Sequence, residues 1–140
     1  MSYEFIDHTA DVAVELRARS REELYAEALR AFTDTVTALD EVDDDSEKTL
    51  SVEAEGLDEL MVEWLGELVY RFDVDGLLFA RAEVEIEEGE RGLCLTARTH
   101  GESYDEERHP LKVEVKGVTY HDLLVEEGDG GWRGRVVFDI

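Results

Sequence analysis

The sequence predicts an α+β fold, with two helices packed on a mostly antiparallel multi-stranded sheet in one domain spanning residues 1–140. Three observations carry this expectation. Two stretches repeat apolar residues at helical spacing, several others alternate apolar with polar residues, and glycine-bearing turns join the later alternating runs as hairpins. A hydrophobic content of 43% is enough to fill a core, despite the charge.

Val12, Val14 and Leu16 alternate with Ala13 and Glu15, which predicts the first strand. Ser20 and Glu23 form a capping box, and Leu24, Ala28, Phe32, Val36 and Leu39 follow at the spacing of one helix face. Residues 40–47 read as an acidic loop, and Leu50, Val52 and Ala54 as a second strand. The second helix covers residues 57–72, where Leu60, Met61, Trp64, Leu65, Leu68, Val69 and Phe72 make a stripe wide enough to cover a sheet face. Asp75-Gly76 stops it. Residues 82–87 alternate strictly and leave one acidic, wet face. A turn at residues 89–92 leads into a strand over 93–98, and Cys94 between Leu93 and Leu95 reads as a small core residue. Residues 100–110 are the least regular and read as a mobile loop. Strands over 112–116, 123–127 and 133–140 complete the set, the last two joined by a turn at 128–131.

The charge is the unusual property. Asp and Glu number 37 against 14 Lys and Arg, a net charge of −23, and only Lys48, Lys112 and Lys116 are lysines. Acids spread over every element form a solvated shell instead of a tail. That pattern fits a halophilic, cytoplasmic protein adapted to high internal salt, where the Debye length falls to about 3 Å at 1 M and like charges stop repelling. Such a surface repels nucleic acid at ordinary salt, so no autonomous nucleic-acid binding is expected. No apolar run approaches a membrane span, and the N-terminus lacks the pattern of a signal peptide. The lone cysteine excludes an internal disulfide.

Two stretches invite a chemical reading. At the C-terminus Val136, Phe138 and Ile140 alternate, which predicts that all three share a buried face and that the Ile140 carboxylate is held still beside Asp139. Two fixed carboxylates repel, and a hard cation relieves them. Asp7, His8 and Asp11 precede the first strand. They are either a turn with surface acids, or Asp11 brings an oxygen ligand to the Asp139/Ile140 pair and Asp7 and His8 are accessory or partner contacts. Three such oxygens make about half of a calcium shell of six to eight, with water or a partner supplying the rest. His121, after Thr119-Tyr120, is either a satisfied strand residue or a ligand, acid–base group or contact residue in a cleft. The four histidines and one cysteine show no zinc spacing, so calcium or magnesium precedes zinc. The glycines at 128–131 lack the lysine of a phosphate loop.

The segments Phe5-Ile6-Asp7-His8-Thr9-Ala10-Asp11-Val12, Val115-Lys116-Gly117-Val118-Thr119-Tyr120-His121 and Phe138-Asp139-Ile140, in this order and at this length, resemble the archease family. Two positions depart from its pattern: Ala13, where glycine is common, and Gly117, where alanine is common. The resemblance implies a non-enzymatic cofactor of the RtcB-type tRNA-splicing ligase, which joins a 3′-phosphate or 2′,3′-cyclic phosphate RNA end to a 5′-hydroxyl using GTP and divalent metal. The cofactor promotes ligase guanylylation and multiple turnover. It further implies that Asp11, Asp139 and Ile140 are metal ligands, with calcium the ion usually assigned and magnesium, manganese or zinc as alternatives. Two other classes compete. One is a metal-dependent phosphoester hydrolase or phosphotransferase with Asp11 and Asp139 on the ion and His121 as acid–base group; the other is a general chaperone or adaptor for RNA-modifying enzymes.

Overall fold

Ser20 begins the first helix as its residue type predicts: its hydroxyl accepts the Glu23 N–H at 3.1 Å, satisfying one of the donors that a helix N-terminus leaves open. In a computed structural model, which describes residues 1–6 and 11–140, the order is β1 (Ser2–Ile6), β2 (Asp11–Ala18), α1 (Arg21–Val36), a 3₁₀ turn (Leu39–Glu41), β3 (Ser46–Ala54), α2 (Leu57–Asp75), β4 (Leu77–Gly89), β5 (Gly92–Ser103), β6 (Gly117–Gly128) and β7 (Gly131–Asp139). All pairings are antiparallel, and the strands divide between two sheets, β1-β2-β7-β6 and β3-β5-β4. Each helix touches both sheets: α1 packs on β2 and β4, α2 on β3 and β6. The helices therefore close one core between the sheets.

The apolar stripes fill that core. Leu24, Ala28, Phe32 and Val36 of α1 and Leu60, Met61, Trp64, Leu65 and Leu68 of α2 are buried. Two polar groups fasten the helices to one another. The Trp64 indole N–H donates to the Tyr25 carbonyl at 2.8 Å, and the Tyr25 hydroxyl donates to the Leu57 carbonyl at 2.6 Å. Thr33 ties α1 to β4 through the Phe79 carbonyl, also at 2.6 Å. Gly76 ends α2 in the left-handed region at φ 66°, where its lack of a Cβ removes the steric cost. In β4, Glu83, Glu85 and Glu87 are exposed while Val84 and Ile86 turn inward, the acidic wet face that strict alternation predicts.

Several expectations need correction. A strand, β1, precedes the predicted first one; paired only to β2, it is an edge strand with one neighbour. Helix α1 stops at Val36, because Asp34 accepts the Leu39 N–H through its side chain and diverts the chain into the 3₁₀ turn. Residues 112–116 are not a strand. The Lys112 N–H goes to the Val36 carbonyl and the Lys116 N–H to the Asp139 carbonyl, so the segment is stitched to two different elements. The alternation there reflects the packing of Val113 and Val115 alone. Cys94 is half-buried on the outer face of its sheet, while Leu95 takes the core position.

Residues 100–110 are pinned where a mobile loop was expected. His100 to Ser103 belong to β5. Glu102 accepts both terminal nitrogens of the Arg108 guanidinium, at 2.8 and 3.0 Å, and the Asp43 N–H at 2.7 Å. The fully buried His109 adds a fourth bond. Its Nδ1 accepts the Asp105 N–H, so its Nε2 carries the proton and donates to Glu102 at 2.9 Å. The Arg108 hydrogen bonds, followed by those from Asp43 and His109, hold the Glu102 carboxyl down at about 2, against an ordinary 4.5. A depressed carboxylate stabilises the fold above its unfolded value, and that contribution is lost as pH falls from about 4.5 towards about 2. Glu102→Gln is expected to cost about 1.5–3 kcal/mol at pH 7, the value of a charged hydrogen-bond cluster. In melts followed by circular dichroism, the gap from wild type should narrow as pH falls through that window. A gap that stays constant with pH would show that Glu102 acts by packing alone.

Candidate functional site

The separate motifs meet through strand pairing. Asp11 at the start of β2 lies directly opposite Asp139 at the end of β7, and Asp139 in turn lies opposite Gly117 at the start of β6. Directly opposed residues of an antiparallel pair share a face, with Cα atoms about 4.5–5.5 Å apart, so the two carboxylates are neighbours. On the other flank of Asp139, a Cβ at Gly117 would meet nothing within 4 Å among the described residues. The Lys116 N–H holds the Asp139 carbonyl at 2.7 Å and fixes the crossing of the third motif behind the second.

The same sheet face continues in ordered rows. Beside the carboxylate pair lie Ala13, Val137 and Thr119, of which Ala13 and Val137 are fully buried. The next row holds Glu15 and Arg135, whose Nε and Nη2 both reach Glu15 Oε1, at 3.0 and 2.8 Å. That ion pair neutralises itself and is separated from Asp11 and Asp139 by the apolar row. Like charges directly opposite each other destabilise a sheet. A cation placed between two opposed carboxylates offsets such repulsion.

Other predicted residues fall in varied places. Ile140 is 38% exposed and lies past the last ladder residue, so the alternation of Val136 and Phe138 does not carry its side chain into the core. Asp7 and His8 lie outside the described residues. His121 lies where β6 breaks register between Thr119 and Leu124, and its side chain is 68% exposed, with Nε2 3.3 Å from Asp122 Oδ2. The Thr119 hydroxyl accepts the His121 N–H at 3.0 Å, and Asp122 adopts φ 58°, so the protrusion has a defined shape. Asp75 sits in the last turn of α2 and accepts from Arg71, the helix-end role its position suggests.

Among the described residues no group of three or more His, Cys, Asp or Glu side chains converges on one point. The register sets two aspartates opposite each other, with Ile140 following Asp139 in the chain. These are oxygen donors only, a chemistry that suits calcium, magnesium or manganese better than zinc. Sequence reasoning missed the part played by Gly117, whose signal was a residue without a side chain beside a charged one. It also missed the Glu15–Arg135 pair, which no local pattern encodes.

Residues 3–140 match the archease protein family (MTH1598/TM1083). A protein archease of Methanopyrus kandleri is 41% identical over 140 residues, covering 100% of both chains. The solution structure of Methanobacterium thermoautotrophicum protein 1598 is similar with a TM-score of 0.83 at 29% identity, covering 99% of this chain and 98% of that one. A crystal structure from Thermotoga maritima, of an archease described as a possible chaperone, is similar in fold, with a TM-score of 0.62 at 24% identity and coverage of 96% and 94%.

Proposed function

The chain belongs to the archease family, and from that premise we propose that it is a non-enzymatic cofactor of the RtcB-type GTP-dependent tRNA-splicing ligase, promoting ligase guanylylation and multiple turnover. The observation that supports this most is the register that sets Asp11 against Asp139, with the side-chain-free Gly117 on the other flank of Asp139. Among the described residues the site offers carboxylates without a nucleophile or phosphate cradle beside them, which suits holding charge for another protein's chemistry better than doing chemistry alone.

Asp11 and Asp139, with the Ile140 carboxylate, are the residues that would hold a divalent cation, calcium foremost and magnesium, manganese or zinc after it. When bound, such an ion supplies positive charge that offsets repulsion between phosphates. The protein's own part is placement. The β2–β7–β6 ladder fixes both aspartates on one face, and the neutralised Glu15–Arg135 pair keeps competing charge away from them. Among the described residues no helix is long and apolar enough to cross a membrane.

The test is RNA joining by a cognate ligase held well below substrate, with and without this protein, in high salt. Yield rising from a single turnover per ligase to many is the expected result. No change with a competent ligase, together with metal-dependent phosphoester turnover by the isolated protein, would replace this reading with an enzyme. The possible-chaperone description of the Thermotoga protein favours a second reading, a general adaptor. In that case stimulation would track folding and ignore metal removal.

A further inference from the structure

Between β5 and β6, residues 111–116 run extended without belonging to either sheet. Burial alternates along them: Val113 and Val115 turn inward, while Lys112, Glu114 and Lys116 are exposed. In an extended chain the backbone N–H and C=O of one residue point to one edge, and those of the next residue to the opposite edge. The Lys112 and Lys116 N–H groups go to the Val36 and Asp139 carbonyls, so their edge is turned to the fold. The other edge carries the N–H and C=O groups of Leu111, Val113 and Val115. Among the described residues none of these groups has a hydrogen-bond partner. Leu111 is 55% exposed, so solvent reaches this edge at its start. An unpaired edge of this kind is a template for a further strand.

A groove of about 450 Å³ lies alongside, lined by Leu111, Lys112, Val113 and Glu114 on one side and by Phe72 and Asp73 of α2 on the other. Consecutive residues of an extended segment put side chains on both of its faces, so a groove that meets all four runs along the edge instead of over one face. Phe72 and Val113 give it partly buried apolar surface. Its charges are unevenly committed. The Lys112 ammonium is held by Asp34, at 2.9 Å from the carbonyl and 3.4 Å from Oδ1. Asp73 and Glu114 have no cation within ion-pair distance among the described residues. We propose that this groove takes an extended, basic segment of a partner protein as an added strand. The segment's backbone pairs with Leu111 and Val113, an apolar side chain lies against Phe72, and flanking lysine or arginine meets Asp73 and Glu114. The open backbone groups select an extended polypeptide, and the two uncommitted acids select a positive one. A second copy of this chain brings −23 and the same two acids, so it fits the edge but not the rim. The inference goes beyond the ligase reading and does not rest on it, because it uses neither the aspartate pair nor a named partner.

The experiment titrates the whole protein, at fixed potassium chloride, with three short capped peptides. One alternates valine with lysine, one alternates valine with glutamate, and the third is the lysine peptide with every backbone amide N-methylated. Calorimetry reads affinity, and amide hydrogen exchange reads pairing. The lysine peptide is expected to bind saturably and to protect the Leu111 and Val113 amides, which exchange freely in the unbound protein. The glutamate and N-methylated peptides should each bind at least about tenfold more weakly, through lost charge-assisted or backbone hydrogen bonds. Asp73→Lys combined with Glu114→Lys, both at exposed positions, should reverse the preference in favour of the glutamate peptide, a gain that a folding defect cannot imitate. Glu90→Lys changes charge at the exposed β4–β5 turn and should shift affinity less than about twofold. No saturable binding of the lysine peptide at millimolar concentration, equal binding of its N-methylated form, or a Glu90→Lys effect equal to that of the rim reversal overturns the proposal. So does protection of the same amides that grows with protein concentration alone, which would assign the edge to a second copy.

Discussion

Asp139→Ala is expected to leave the protein folded while returning ligase yield to a single turnover. The separation of the two effects follows from where Asp139 sits. Its side chain is exposed, and alanine keeps the backbone groups that pair with Asp11, Gly117 and Lys116. Exposed substitutions of this kind stay within about 0.5 kcal/mol of wild type. Here the sign can even favour the variant, because one of two opposed carboxylates is gone. The functional loss should be large, since one charge fewer leaves Asp11 with no opposed carboxylate to share a cation. Calcium should raise the melting temperature of wild type by mass action, about 2.7 kcal/mol at a hundredfold excess over the dissociation constant, and should leave the variant unmoved. Asp11→Ala should behave alike, and Asp139→Asn tests whether charge or shape matters. A folded Asp139→Ala protein that still sustains multiple turnover would end the carboxylate reading.

The elements were legible where one local signal sufficed. The Ser20 cap, the α2 stripe and the turn at Gly128–Gly131 each specify their structure within a few residues, and each formed. The Glu23 side chain, however, accepts the Arg19 N–H in place of the Ser20 N–H of a full capping box. The candidate site was legible only in part. That Asp11 and Asp139 belong together could be argued from their types and places, but their register depends on β7 lying between β2 and β6, a non-local pairing that no window of sequence contains. The alternation through Ile140 misled for a related reason. Period two predicts a face but not where the ladder stops, and it stops at Asp139. Residues 112–116 show the converse error, an alternation produced by packing two valines under an extended segment whose hydrogen bonds go elsewhere. The division into two sheets is likewise invisible locally, because it is set by which strands pair with one another.

Trp64→Ala should be the most destabilising single change, costing about 3–5 kcal/mol for truncation of a large buried side chain. Trp64 is fully buried between the helices and its indole N–H is satisfied by the Tyr25 carbonyl, so alanine leaves both a cavity and a lost bond. Trp64→Phe keeps most of the volume and should cost about 1 kcal/mol for the bond, plus a smaller packing term. The reciprocal bond gives a second handle. Burial of the Tyr25 hydroxyl pushes its ionisation well above the ordinary 10.0, so the unfolded chain ionises first and stability falls as pH rises past that value. Tyr25→Phe should flatten that alkaline decline. Urea is the denaturant of choice, because guanidinium is itself a salt and would screen the −23 charge as it unfolds the chain. Against a total stability of about 5–15 kcal/mol, Trp64→Ala removes a large share. Ligase stimulation by this variant should therefore fall together with the folded fraction and recover when potassium chloride restores it. Asp139→Ala should fall without any such recovery. The two variants distinguish a site that is absent from a scaffold that is not there to hold it.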